Sequence, residues 1–256
     1  MATYKKRGYK PKNKEEEVEV IEDNSTTAEV FNTLDEGASK TEEWVAKNQK
    51  YIFGFVGVIA LVVLAYLGYD KFIQQPKEQE AANEMFKAQQ YFDNAVNGNE
   101  TVQDSLYNMA LNGGEGKYGF LEIIDNYGGT KAANLAHYYA GFAYLNTNNY
   151  QNAIDYLDKF TSDDQILQPL ALGGIGDAFV QLNQMEEGLS YYEKAAKARD
   201  NEFTTPKFLL KAAITALSLN KADVATKYLE RIKDEFPKSP EANQVDVHLG
   251  RAQAMK

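Results

Sequence analysis

The chain has 256 residues, with 37 acidic and 27 basic side chains and a formal net charge of −10. It contains no cysteine, which excludes a structural disulfide, a thiolate metal site, a cysteine nucleophile and an acylated N-terminal cysteine. The negative charge also argues against a nucleic-acid-binding domain, because phosphate backbones attract basic surfaces.

Residues 1–44 segregate their charges. Residues 1–14 carry only basic charged side chains, whereas residues 15–43 carry eleven acidic side chains and one basic side chain. Apolar residues are sparse there and follow no period, so the sequence predicts a disordered tail. The basic block is suited to contact with anionic lipid or with ribosomal RNA. The alternative is a solubilising tail that only sets the orientation of the chain.

Residues 51–69 carry no charged side chain and lack the polar stripe that a helix in a soluble core normally has. As a helix they are roughly 28 Å long, close to the hydrocarbon thickness of a bilayer. Trp44 before the segment and Tyr69 at its end suit the two lipid–water interfaces. The sequence therefore predicts one transmembrane anchor helix, within residues 45–75, that crosses the lipid bilayer.

The flanks of the apolar segment predict its limits and its orientation. The helix is expected to start near Thr41, where Thr-Glu-Glu supplies an N-cap, and to end near Gln75, because Pro76 disfavours helical geometry in the residue before it. Basic residues are equally numerous within about 15–20 residues of the two ends. The further basic residues at positions 1–14 give the N-terminal side the larger number, so the sequence predicts that the tail lies in the cytoplasm.

Small side chains recur at spacings of three and four within the anchor. On a helix they share one face, and a second transmembrane helix could approach that face closely. The alternative is that glycine is simply common in transmembrane helices. The candidate packing face consists of Gly54, Gly57, Leu61, Ala65 and Gly68.

Residues 76–256 are predicted to form a soluble domain built from internal repeats. Three copies share one spacing of small and large apolar residues, and each places a polar, asparagine-containing turn between two helices. The successive offsets are 35 and 37 residues. The aligned positions are Gly141, Ala153 and Leu157, then Gly176, Gly188 and Tyr192, then Ala213, Ala225 and Leu229.

This pattern resembles the tetratricopeptide repeat, a helix–turn–helix unit of about 34 residues. Its small residues lie where the two helices approach most closely. A fourth, degenerate copy is predicted before the others, with helices over Glu78–Ala95 and residues 116–128 and a mobile turn between them. Residues 239–254 are expected to cap the stack. The fold class is all-α: a single transmembrane helix followed by a tetratricopeptide-repeat α-solenoid.

Other motifs do not predict chemistry. The glycines of residues 173–176 fall inside a repeat helix, and residues 113–117 lack the spacing and the Ser/Thr of a phosphate loop. The two histidines, His137 and His248, lie on different predicted helices. No serine–histidine–acid set or close carboxylate pair stands out. The sequence predicts no catalytic residue, no metal site and no cofactor.

The resemblance also implies a protein-binding groove, since the first helix of each tetratricopeptide repeat lines the concave wall. Tyr138 and Phe142 stand where members that clamp a terminal carboxylate need Lys and Asn, so extended or apolar segments suit the groove better. The alternative is that several of these residues pack against a neighbouring helix. The candidate groove residues are Tyr138, Phe142, Asn146, Asp177, Gln181, Lys207 and Ile214, with Gly173, Leu210 and Leu217 beside them.

A tail, one anchor and a C-terminal repeat domain together resemble the YfgM-type ancillary subunits of the bacterial Sec translocon, in the forms found in Bacteroidetes. The similarity is strongest in residues 131–145 and 171–179. It implies a protein of the inner (cytoplasmic) membrane with a periplasmic repeat domain and a non-enzymatic, chaperone-like scaffold role. The implied partners are translocon subunits, a membrane-anchored periplasmic prolyl isomerase and emerging polypeptides.

Two other functions fit the same organisation. One is a structural adaptor in a different envelope complex, such as secretion or motility machinery, which would bind a folded partner. The other is a regulator that passes an envelope signal inward through the charged tail. The absence of a recognisable folded output domain in the tail argues against the regulator.

Overall fold

The computed structural model describes the backbone of residues 26–255 and the side chains of residues 41–255. The predicted basic block at residues 1–14 lies outside the described residues. The chain divides into two compact units, Met1–Asp70 and Lys71–Lys256.

The described part of the first unit is one long helix, α1, over Thr26–Tyr69. It contains the one helical segment, among the described residues, that is long and apolar enough to cross a membrane, and none of its most apolar window is buried. The helix begins at Thr26 rather than near Thr41, so residues 26–44 are helical and not a disordered tail. A Thr-Glu-Glu sequence fits a helix interior as well as an N-cap, because glutamate is a good helix former.

Proline at position 76 does not end a helix. A π-helical turn over Asp70–Gln74 follows α1, and helix α2 then covers Gln75–Asn97. Pro76 lies in the first turn of α2, the part of a helix in which proline is best tolerated. The predicted boundary near Gln75 is therefore the start of α2.

The second unit is all-α, as predicted. Among its described residues there is no strand, and the nearest approach to one is an isolated bridge between Gly114 and Lys117. After α2 its helices are α3 Glu100–Asn112, α4 Phe120–Asn126, α5 Lys131–Asn146, α6 Tyr150–Leu157, α7 Leu167–Gln181, α8 Met185–Ala198, α9 Thr205–Ser218, α10 Ala222–Glu235 and α11 Ala242–Ala254.

Helices α5–α6, α7–α8 and α9–α10 form three successive helical hairpins, here called repeats 1, 2 and 3. Within repeat 2 the small residues lie at the close contact that the sequence predicted. A Cβ atom on Gly188 would stand 3.2 Å from the backbone oxygen of Gly176, and one on Gly176 would stand 2.7 Å from the ring of Tyr192. The spacing of small residues therefore reports how closely the two helices pack.

The turn inside each hairpin is the same. Asn148, Asn183 and Asn220 all adopt a left-handed backbone, with φ of 60°, 60° and 57°. The next residue donates its N–H five residues back, as in Gln184 to Phe179 at 2.9 Å and Lys221 to Ala216 at 2.8 Å. This closes the helix end and satisfies a terminal carbonyl. Asparagine suits the position because it tolerates the left-handed region better than other non-glycine residues.

The degenerate first copy differs from its prediction. The segment expected to be a mobile turn contains α3, which buries Tyr107, Ala110 and Leu111. Helix α2 packs mainly against α3, then against α5, and least against α4, so α3 rather than residues 116–128 forms its hairpin partner. The polar residues at the start of α3 obscured an apolar face spaced by three and four. Ala88 and Tyr91, the predicted contact residues of α2, are buried.

Helix α11 follows repeat 3 at the C-terminal end of the repeat domain. It packs against α10 and α9 and buries Val245 and Ala252, while Val247 on another face is 73% exposed. This is the position for which the sequence predicted a capping helix.

Candidate protein-binding groove

Two aromatic residues dominate the part of the candidate groove that lies on α5. Tyr138 and Phe142 are both half-buried, and their ring centroids are 4.7 Å apart. Phe160 lies 5.1 Å from Tyr138. Burial, followed by Tyr139 and Asp164, raises the pKa of Tyr138 to about 12. The Tyr138 phenol is therefore neutral at ordinary pH, and the pair offers an apolar surface with one hydroxyl.

The same pair also supports the next repeat. A Cβ atom on Gly174 would lie 3.1 Å from the Phe142 ring, so Phe142 reaches α7. Tyr138 and Phe142 both pack against the apolar cluster of Leu157, Phe160 and Ile175. Their inner edges therefore hold repeats 1 and 2 together, and only their outer edges are open to a ligand.

Asp177 on α7 is engaged in two polar contacts. Its Oδ1 accepts the hydroxyl of Tyr192 at 2.6 Å and the ammonium of Lys211 at 2.5 Å. Burial and then the Asp177 charge raise the pKa of Tyr192. Lys211 lies on α9, so the carboxylate joins repeat 2 to repeat 3. Asp177 was predicted as a ligand contact, and the structure uses it as a link between repeats.

The remaining candidates divide by exposure. Asn146 and Gln181 are exposed at the ends of α5 and α7, and Asn146 donates its amide to the Phe142 carbonyl at 2.8 Å. Lys207 and Ile214 on α9 are half-buried. The Lys207 ammonium lies 6.0 Å from the Phe208 ring centroid, and Ile214 packs on the core of repeat 3.

Three residues expected beside the groove do not line it. Leu210 and Leu217 are 7% and 1% exposed. Gly173 faces Phe208 of α9, and a Cβ atom there would stand 1.9 Å from that ring. These positions are packing contacts, as the alternative interpretation held. Sequence reasoning also missed Lys211, although its separation of one repeat length from Asp177 was a usable signal.

The two histidines form no site together. His137 is half-buried, its ring lies 5.8 Å from that of Tyr156, and its Nδ1 has no hydrogen-bond partner in the described chain. Burial, followed by the Lys159 charge, lowers the pKa of His137. No cluster of side chains that could hold a metal ion occurs among the residues that the structure describes.

The candidate packing face of the anchor is open. Gly54, Gly57 and Gly68 have no neighbouring atom within 4 Å of the position that a Cβ would take. Leu61 is 69% exposed, and Ala65 is exposed as well. Contact of this face with another helix stays a prediction.

Comparison with known protein families identifies the repeats. Models of the tetratricopeptide repeat match residues 135–164, 171–202 and 208–239. These ranges correspond to repeats 1, 2 and 3, so the periodicity found in the sequence is confirmed. No curated protein and no solved structure matches the chain. Repeats of this family serve as scaffolds for protein–protein interaction.

Proposed function

We propose, from the three segments that match tetratricopeptide-repeat models, that the chain is a membrane-anchored, non-enzymatic scaffold that binds polypeptide segments as an accessory of the bacterial Sec translocon. The observation that carries the proposal is the presence, in one chain, of two apolar surfaces that remain exposed to solvent. One is the exposed apolar helix of α1, and the other is the half-exposed pair Tyr138 and Phe142 on α5.

The composition of the groove favours extended segments as ligands. The aromatic pair gives apolar contact area, and the exposed Asn146 and Gln181 recur at equivalent positions of two repeats. Their side chains can pair with the backbone of an extended segment, whatever its sequence. Asp177, the carboxylate of the groove, is occupied by Tyr192 and Lys211, so the groove carries little free charge with which to select a charged ligand.

The finer assignment comes from the resemblance to YfgM-type subunits. In this proposal the anchor lies in the inner membrane, with the N-terminus in the cytoplasm and the repeats in the periplasm. The partners would be translocon subunits, a membrane-anchored periplasmic prolyl isomerase and polypeptides that emerge from the channel. In this role the repeats hold segments before they fold and pass them to periplasmic chaperones.

Site-specific photo-crosslinking in the native membrane tests the role of the groove. A photoreactive residue at Gln181 is compared with one at Ser190, which is also exposed and lies on α8 of the same repeat. We expect translocon subunits or emerging polypeptides to crosslink to position 181 and not to position 190. A single folded envelope protein crosslinked at position 181, without translocon components, would instead support the structural adaptor.

Purification of the native protein in gentle detergent tests the role of the anchor. The proteins that accompany it are identified by mass spectrometry, with and without exchange of residues 51–69 for an unrelated apolar helix. Translocon subunits that are lost on exchange would support both the translocon role and the face of Gly54, Gly57 and Gly68. Recovery of a different envelope complex would overturn the translocon role.

A further inference from the structure

The π-helical turn Asp70–Gln74 exposes two large apolar side chains at the start of the second unit. Phe72 is 76% exposed and Ile73 is 56% exposed. Phe72 is the most exposed large apolar residue described in this unit, ahead of Val247 at 73% and Phe203 at 66%. Removal of two adjacent apolar side chains from water is favourable, so this pair is a candidate contact surface.

The residues that follow these two side chains are hydrogen-bonded to the repeat domain. Gln74 donates its amide to the Gly129 carbonyl at 3.0 Å, and Lys77 donates its ammonium to the Gly128 carbonyl at 3.0 Å. The Glu78 carboxylate accepts the backbone N–H groups of Lys131 and Ala132 at 2.7 and 2.9 Å. The segment that follows Phe72 is therefore bonded to the start of α5.

The contacts of Glu78 have a clear physical cause. Lys131 and Ala132 are the first residues of α5, and the first N–H groups of a helix have no partner within that helix. A carboxylate at this end satisfies two of them and interacts favourably with the helix dipole. These bonds fix the chain just after Ile73 to the start of α5.

Covalent geometry limits what can cover Phe72. It lies three residues after Tyr69, the last residue of α1, so at about 3.3–3.6 Å per residue it is at most about 11 Å from the end of the apolar segment. The headgroup layer on each side of a bilayer is about 5–7 Å thick. The first surface that the Phe72 and Ile73 side chains meet is therefore the headgroup region in which the anchor ends.

We propose that Phe72 and Ile73 form a membrane-surface contact of the repeat domain and insert among the lipid headgroups beside the anchor. Aromatic and apolar side chains are favoured at this depth, and Lys71 next to them is suited to lipid phosphates. The glycine turn at Gly128–Gly129, bonded to Gln74 and Lys77, is then held close to the membrane. This proposal depends on the anchor alone and not on the translocon role.

Depth-dependent fluorescence quenching tests the contact in the full-length protein. Trp44, the one tryptophan in the chain, is replaced by Phe, and Phe72→Trp is introduced in that background. The protein is reconstituted into phosphatidylcholine vesicles with brominated acyl chains. The matched control is Phe203→Trp, which is similarly exposed but lies between α8 and α9. Ile73→Trp is a second reporter in case the first variant does not fold, as judged by circular dichroism.

We expect the emission of Phe72→Trp to shift to shorter wavelength and to lose most of its intensity in brominated lipid, while Phe203→Trp keeps both. Unquenched emission at positions 72 and 73 in folded protein would overturn the proposal. Crosslinking of position 72 to a protein in native membranes, without quenching in pure lipid, would overturn it in favour of a protein neighbour. Equal quenching at position 203 would also overturn it, because the domain would then adsorb to the membrane through more than one part of its surface.

Discussion

The two junctions between the three repeats are built differently. Repeats 1 and 2 meet through an apolar cluster that includes Leu157, Phe160 and Ile175. Repeats 2 and 3 also share apolar contacts, such as Phe208 against Gly173, but polar links join their surfaces. In these links Asp177 pairs with Lys211 at 2.5 Å, Glu186 with Lys221 at 2.5 Å, Glu193 with Tyr228, and Asp200 with Arg231 at 3.0 Å.

Apolar burial stabilises both junctions, because one buried cluster that includes Leu189, Tyr192 and Phe208 spans repeats 2 and 3. The second junction differs by the polar links that it has in addition. Burial of large apolar side chains contributes about 1.5–3 kcal/mol each, whereas a solvent-exposed ion pair contributes about 0–1 kcal/mol. The polar links at the second junction are partly exposed: Lys221 and Glu186 keep 39% and 59% of their side-chain surface. They fix the angle and register of repeat 3 on repeat 2 more than they add to the free energy of unfolding.

The largest expected effect comes from a buried leucine at the first junction. Leu157 is 1% exposed and packs against Gly141 and Gly174. Leu157→Ala should lower the free energy of unfolding by about 2–5 kcal/mol, because it leaves a cavity between two repeats. Urea unfolding followed by circular dichroism measures the change.

The matched control for this change is Leu182→Ala, in which the leucine is 36% exposed and the expected change is within about 0.5 kcal/mol. A loss at position 157 no larger than that at position 182 would contradict the apolar assignment of the first junction.

The next largest effect on the free energy of unfolding is expected at the turns inside the hairpins. The same turn occurs in two repeats, so each position serves as a reference for the other. Asn183 and Asn220 have the same left-handed backbone, although one belongs to repeat 2 and the other to repeat 3. Asn→Ala at either position should lower the free energy of unfolding by about 1 kcal/mol, since alanine resists this conformation. Asn→Gly should be nearly neutral because glycine adopts it freely.

Thermal or urea unfolding of the four single variants tests this expectation. Similar losses of stability at positions 183 and 220 would show that repeats 2 and 3 have the same turn backbone. The two junctions would then differ only through their side chains. A large loss in the Asn→Gly variants would instead point to an unrecognised role of the asparagine side chain.

A smaller effect is expected from the polar links between repeats 2 and 3. A double-mutant cycle with Asp177→Asn and Lys211→Met should give a coupling energy of about 0.5–1 kcal/mol, since both side chains remain about one-third exposed. High salt should weaken this coupling through screening, while the cost of Leu157→Ala should be unchanged. A coupling well above 2 kcal/mol, insensitive to salt, would mean that the second junction depends on its charges for stability.

The sequence predicted the repeats because their small residues follow the geometry of close helix packing. Gly176 with Gly188 and the asparagine turns each have a local cause that a single sequence displays. The site was less predictable, because the same face of α7 contributes a core glycine, Gly173, and a carboxylate, Asp177, used between repeats. Whether such a residue faces a ligand or the next repeat depends on the angle between helices, and residue spacing does not encode that angle.

The smallest predicted effect is a dependence of stability on pH that originates in repeat 1. His137 has a pKa below its ordinary value of 6.5 in the folded chain, because burial and then Lys159 disfavour its charged form. The unfolded chain therefore binds more protons than the folded chain below about pH 6.5, and stability falls as the pH drops through that range. His137→Gln should flatten the change in melting temperature between about pH 5.5 and 7.5. An unchanged pH dependence in this variant would contradict the assignment of this effect to the protonation of His137.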